Sequence, residues 1–228
     1  MMYYFDLALD ELRYILQESI HGIKKVSCPT KRMAKVPYLV GDFNTKDSRK
    51  IAASLYKKNY MHHKDEGDVF DDRILTFANS WLASVSYIQI RDEKTIIYYF
   101  FGSLFDVYIE ISQDTVCRVC VFVDGGAFSH LMEFVRKKHS CVSFFNEDEL
   151  DELIKKPVDD SPLNYSVYLS DIKGNPICLI NEFVRAEGGV IIQTAVSNEV
   201  NTETFICDTD FAESFVNRIF QIRYNIEN

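Results

Sequence analysis

Four apolar stretches crowded between residues 86 and 123 constrain this chain more than any other feature of it. Val107, Ile109 and Ile111 alternate with Tyr108, Glu110 and Ser112, and Val119, Val121 and Val123 lie on the opposite side from Arg118. Successive strand residues point to opposite faces, so such alternation reads as half-buried strand. The stretches 87–91 and 95–101 flank an Asp-Glu-Lys turn and read as a hairpin. An amphipathic helix carrying Phe128, Leu131, Met132 and Val135 follows after Asp124-Gly-Gly.

The pattern returns further on. Residues 165–170, 176–184, 190–197 and 202–207 read as four more strands. Asp208 or Thr209 then caps a helix with Phe211, Phe215, Ile219 and Ile222 on one face. Both halves run helix, four strands, helix. At the last strand–helix junction FVDGGAF and FICDTDF each space two Phe residues six apart, although identity elsewhere is thin. No helix separates consecutive strands within a block, so the expected class is α+β with antiparallel sheets. The expected organisation is a helical N-terminal segment (1–70), a first α+β block (71–145) and a second (146–228), the blocks being a divergent tandem repeat.

In the N-terminal third, Phe5, Leu9, Leu12, Leu16 and Ile20 predict a helix over 4–20, ended near Gly22. Residues 24–38 are polar and interrupted by Pro29 and Pro37. A second helix is expected from a cap at Asn44 or Thr45 to about Tyr60, and the polar stretch 61–72 reads as a loop. Ile74, Phe77, Ala78, Trp81, Leu82 and Val85 form a helical stripe after a cap at Asp71 or Asp72. A short helix over 146–156 has a capping box from Asn146 and Glu149 and is stopped by Pro157.

A chain of 228 residues buries roughly 70–75% of its unfolded surface and needs neither disulfides nor metal to fold. Its six cysteines therefore read as core residues of a reducing compartment. The N-terminus carries acids where a secretion signal would be basic, and the most apolar run, 96–105, is too short to span a bilayer. A cytoplasmic protein is expected, without membrane contact.

Motifs that carry chemistry are scarce. No G-x-S-x-G elbow, phosphate loop or dinucleotide fingerprint is present. Cys117 and Cys120 form a C-x-x-C pair, and with His139 and Cys141 a zinc set can be written. Residues three apart in a strand face opposite ways, however, so the sulfurs should not converge. His62 and His63 beside Asp65, Glu66, Asp68, Asp71 and Asp72 could hold a transition metal for a metal-dependent enzyme. No metal-ligand spacing supports that reading, and no cofactor or catalytic residue is expected.

Charge says more. Residues 24–58 hold ten Lys or Arg against Asp42 and Asp47, a net +8 that leaves −17 on the remainder of a chain of total −9. Lys46, Arg49, Lys50 and Lys57 share one side of the second helix, opposite Ile51 and Leu55, and would suit phosphate contacts. The acidic excess and the aromatic content of 14% point instead to a protein partner, itself basic. The leading expectation is a non-enzymatic interaction protein (an inhibitor, immunity-type antagonist or adaptor) meeting its partner through Asp65, Glu66, Asp68, Asp71 and Asp72. Nucleic acid or another polyanion bound at 24–58 is the alternative.

Overall fold

Alternation of the strands sends every second side chain to each face of a sheet, and two separate apolar cores result. In the computed structural model, which describes residues 3–22, 39, 47–65, 67–92, 94–102, 104–112, 116–123, 125–139, 163–171, 176–184, 189–196, 199–206 and 210–227, these cores sandwich one large sheet.

The elements run β1 (Tyr3–Ala8), α1 (Leu9–Gly22), α2 (Ser48–Lys57), β2 (Met61–Lys64), β3 (Gly67–Phe70), α3 (Asp72–Ala83), β4 (Ser86–Arg91), β5 (Thr95–Phe101), β6 (Phe105–Ser112), β7 (Val116–Val123) and α4 (Gly126–His139). There follow β8 (Leu163–Asp171), β9 (Pro176–Val184), β10 (Gly189–Val196), β11 (Glu199–Ile206) and α5 (Phe211–Glu227). Among the described residues, nine strands form one antiparallel sheet in the order β1-β7-β6-β5-β4-β8-β9-β10-β11. The class is α+β. The two meanders share this sheet because β4 pairs with β8, setting Ile88 opposite Leu169 and Ile90 opposite Val167.

On one face α1, α2 and α3 bury Leu12, Leu55, Phe77 and Trp81 against Phe100, Val107, Ile109 and Val121. On the other, α4 and α5 bury Leu131, Val135, Phe215 and Ile219 against Ile88, Tyr99, Val167 and Ile180. Cys117 belongs to the first core and Cys120 to the second. The strand parity that argued against a converging pair is thus what the fold displays. The third helix starts as its sequence demands: the Asp71 carboxylate accepts the Arg73 N–H at 2.9 Å, Asp72 sits in the first turn, and Ile74, Phe77, Ala78 and Trp81 face inward.

Two expectations are corrected. Residues 3–8 are not helix but an edge strand, paired residue for residue with β7 from Tyr3–Val121 to Ala8–Val116. Phe5, Leu7 and Leu9 also alternate, and a β7 partner with its own alternation decides between the two periods. The expected loop at 61–72 is mostly a hairpin, β2 paired with β3, whose packed residue is Met61. The second helix starts at Ser48, with Asp47 in the cap position. The helix expected over 146–156 and the caps assigned to Asn44, Thr45, Asp208 and Thr209 lie outside the described residues.

Candidate functional site

α4 covers only part of its side of the sheet. Toward the β1 edge it leaves a groove of about 730 Å³ floored by β5, β6, β7 and β1 and walled by α4. Strand parity sets the floor: Tyr4, Arg118, Tyr108, Glu110 and Ile97 point to the α4 side, while their neighbours enter the other core. Helical spacing sets the wall, because His130, Glu133, Phe134 and Lys137 recur at three and four residues.

The polar groups of this groove are held in place. The Tyr108 hydroxyl donates to Glu110 at 2.6 Å, Ser112 donates to the other carboxylate oxygen at 3.3 Å, and Arg118 reaches Glu110 at 3.5 Å. Burial, then the Glu110 carboxylate, pushes Tyr108 far above the usual phenol range, so it remains a donor. The His130 ring lies edge-on to Tyr108 with centroids 4.6 Å apart, and its Nδ1 meets the Tyr99 hydroxyl at 2.8 Å. Burial lowers the His130 pKa, against the opposing pull of Glu133 and Glu110. At the far end Lys138 pairs with Asp92 at 2.7 Å, and Asp92 also accepts the N–H groups of Lys94 and Thr95. Burial would raise Asp92, but these partners outweigh it and hold the carboxyl below its usual range. Cys120, buried in the core behind the groove, is pushed up to about 12 by burial and stays a thiol. What the groove presents is a set of fixed donors and acceptors on an aromatic floor, which is chemistry suited to recognition.

The acids singled out from sequence are largely engaged locally. Asp68 on β3 bonds His63 at 2.9 Å. Its carboxyl is lowered chiefly by that bond and then by one from Tyr56, whose own hydroxyl is pushed up to about 12. Asp71 caps α3 and pairs with Arg73 at 2.9 Å. Asp65 and Asp72 are exposed, and Glu66 lies outside the described residues. His62 and His63 are adjacent on β2 and so face opposite ways. Among the described residues no three His, Cys, Asp or Glu side chains converge as a metal site. The described part of the zinc set, Cys117, Cys120 and His139, is divided between two cores and a helix end, and Cys141 lies outside the described residues.

Arg49, Lys50 and Lys57 are exposed on α2, opposite buried Ile51 and Leu55, and Lys50 pairs with Asp47 at 3.3 Å. Lys46 lies outside the described residues. Lys58, part of the same basic run, is not a free cation. Its Nζ sits 2.6 Å from the Glu11 carboxylate, which also accepts from Ser54 at 2.6 Å and from the Ala8 N–H at 2.7 Å. Glu11 is only 3% exposed. Burial would raise its pKa, and the bonds from Lys58, Ser54 and Ala8 more than offset this and leave it lowered.

Sequence reasoning missed the groove because its residues come from positions 4 and 92–138 and meet only across strands. The signal for Glu11 was present, an acid inside the apolar stripe of Leu9, Leu12, Ile15 and Leu16.

No protein-family model and no curated protein matches the chain. Among solved structures, the Mycobacterium tuberculosis type VII secretion system chaperone EspG5, in complex with the PE25–PPE41 dimer, superposes with a TM-score of 0.56. The match covers 94% of this chain and 95% of that one at 8% sequence identity. The two chains share a fold. That likeness extends to nearly the whole chain, so the sheet and the helices on both of its faces belong to one common architecture. Among the described residues, no helix is long and apolar enough to cross a membrane.

Proposed function

We propose that this chain is a non-enzymatic cytoplasmic adaptor or escort that binds another protein, with the groove beside α4 as a principal contact. The observation that carries the reading is the end-to-end fold likeness to a chaperone whose structure contains a bound protein dimer. The groove supports it: Tyr4 is 54% exposed on the rim, Phe134 and Tyr108 supply aromatic surface, and Glu110, Arg118 and Lys138 are pre-positioned by their own bonds. Asp65 and Asp72, exposed at the β2–β3 hairpin and the start of α3, form a second, acidic contact for a basic partner. The two meanders are read as products of a duplication, since each ends in a helix and their first strands, β4 and β8, lie side by side.

The test is photo-crosslinking in the native cell, with p-benzoylphenylalanine placed singly at Tyr4, Lys137, Asp65 and Tyr224. The expected result is one discrete protein adduct from Tyr4 and Lys137, weaker from Asp65 and none from Tyr224, exposed on α5 and outside the groove lining. No adduct at Tyr4, Lys137 or Asp65 refutes protein binding at these surfaces.

A second reading rests on the exposed basic side of α2. Exchange of Arg49, Lys50 and Lys57 for Glu should then abolish retention on a fluorescent DNA duplex at low salt, and absence of wild-type retention removes this reading.

A further inference from the structure

Among the described strands, β1 and β11 lie at the two ends of the sheet, and they are treated differently. β1 pairs with β7, and no described strand lies on its other side. Two of its backbone groups are nevertheless already taken by side chains: the Ala8 N–H by Glu11 at 2.7 Å and the Asp6 carbonyl by Lys58 at 3.4 Å. Both residues sit at the same parity of the strand, so both groups point away from β7. The ion pair that anchors α2 to α1 thus also closes part of the β1 edge. Asp6 adds a charge there, as natural edge strands do to prevent sheet-to-sheet pairing.

On β11, among the described residues, no side chain takes up the outward backbone groups, and its charges are Glu199 beside the turn and Glu203 at its middle. The strand pairs with β10 over eight residue pairs, from Gly189–Ile206 to Val196–Glu199, and no described strand lies on its other side. Its sequence, EVNTETFI, has no Pro and no Lys. Glu203, the charge at its middle, accepts from both terminal guanidinium nitrogens of Arg218 on α5. Only two residues separate Val196 from Glu199, so that pair closes the hairpin with its own hydrogen bonds. Glu199, Asn201 and Glu203 then direct their backbone groups at β10, and Val200 and Thr202 direct theirs outward.

The face beside this edge also fits an added strand. Tyr168, Leu179, Ala195 and Val200 are register partners on β8, β9, β10 and β11 and form one row across the sheet. The first three are half-buried, and Val200, at the open end, is 66% exposed. An aliphatic side chain on a strand beyond β11 would continue that row and cover Val200.

We infer that the outer edge of β11 receives an extended segment of the partner protein, added as a tenth strand with an aliphatic residue opposite Val200. The inference rests on the protein-binding reading above and names a second element of that contact. Main-chain hydrogen bonds to Val200 and Thr202 supply the binding, and the Tyr168–Val200 row supplies the preference for an aliphatic residue.

The experiment uses the full-length ¹⁵N-labelled chain and follows amide exchange by NMR. The probe is a capped octapeptide of three valine–threonine repeats between terminal lysines. In the free chain the Val200 and Thr202 N–H groups should exchange freely while Asn201, bonded to β10, is protected. Saturating probe should slow Val200 and Thr202 about tenfold or more. Thr202→Pro removes an N–H that the fold itself does not use, so it should abolish probe binding and leave circular dichroism and Tm unchanged. Val200→Lys, which places a charge on the edge, should weaken binding in the same way should the proline perturb folding. Protection of Val200 and Thr202 in the isolated monomer, or probe binding indifferent to both substitutions, overturns the inference. Sedimentation as a dimer lost in Thr202→Pro would overturn it in favour of a second copy as occupant. Each of these failures leaves the crosslinks at Tyr4 and Lys137 untouched, so it is distinguishable from a failure of protein binding as such.

Discussion

Glu11 makes the sharpest prediction. Its carboxylate, 3% exposed, accepts from Lys58, Ser54 and the Ala8 N–H, and so ties α1, α2 and the end of β1 together. A hydrogen bond to a charged group is worth about 1.5–3 kcal/mol. The Lys58 side chain is 38% exposed and rehydrates when its partner is lost, which reduces its share toward the roughly 1 kcal/mol of an exposed pair. Glu11→Ala should therefore cost about 3 kcal/mol, and Glu11→Gln, which still accepts two bonds, about half of that. For a chain of this size about 3 kcal/mol lowers Tm by roughly 6–12 °C. Trp81 is the sole tryptophan and is buried in the core that α1 and α2 cover, so urea unfolding followed by its fluorescence reads the loss directly.

The pH dependence has a fixed sign. Glu11 is lowered in the fold relative to the unfolded chain, so its stabilisation is complete above the ordinary glutamate value of about 4.3 and disappears as pH falls through the folded value. The gap between wild type and Glu11→Ala should be constant from pH 7 to 5 and close below about 4. A cost under about 0.5 kcal/mol, or a gap that does not change on acidification, would refute the role given to this carboxylate.

Three further outcomes follow from the geometry. Gly102→Ala should destabilise by about 2 kcal/mol or more in urea melts, since its Cβ would lie 2.6 Å from the Phe105 carbonyl oxygen, a backbone atom that cannot swing aside. Cys117 and Cys120, both pushed up to about 12 by burial, should stay unreactive toward a chromogenic disulfide at pH 8 until urea unfolds the chain, and prompt native reaction at either would contradict the packing described. His130 is lowered by burial, so the unfolded chain takes up its proton first. Stability should fall as pH drops below about 6.5, and His130→Asn should flatten that slope between pH 7 and 5 by up to about 1.4 kcal/mol per pH unit.

The strands of the sheet were legible because their signal is local. Val107, Ile109 and Ile111 alternate within a single element, and β6 spans Phe105–Ser112 accordingly. The stripe Ile74, Phe77, Ala78 and Trp81 likewise needs nothing beyond its own turn geometry, and α3 covers Asp72–Ala83. β1 was misread because Phe5 fits both a four-residue step to Leu9 and a two-residue step to Leu7. The choice is made by β7, more than a hundred residues away. The β2–β3 hairpin escaped because Met61 alone is fully buried in it, so there was no alternation to find. The candidate groove has no local signature at all. Tyr108 and His130 touch only because α4 folds back over β6, and Glu110 and Arg118 look like ordinary surface charges until the sheet places them opposite one another.

The pairing of β4 with β8 also has a consequence during synthesis. The two strands lie roughly eighty residues apart in sequence, yet Ile88 and Ile90 are fully buried only once Val167 and Leu169 arrive beside them. At translation rates of about 5–20 residues per second, a newly made β4 waits roughly 4–16 s for its neighbour. Throughout that interval the first meander is a sheet with an unpaired, isoleucine-bearing margin, the type of surface that chaperones and stray strands recognise. A break in synthesis between α4 and β8 would therefore release not a small stable domain but an adhesive fragment.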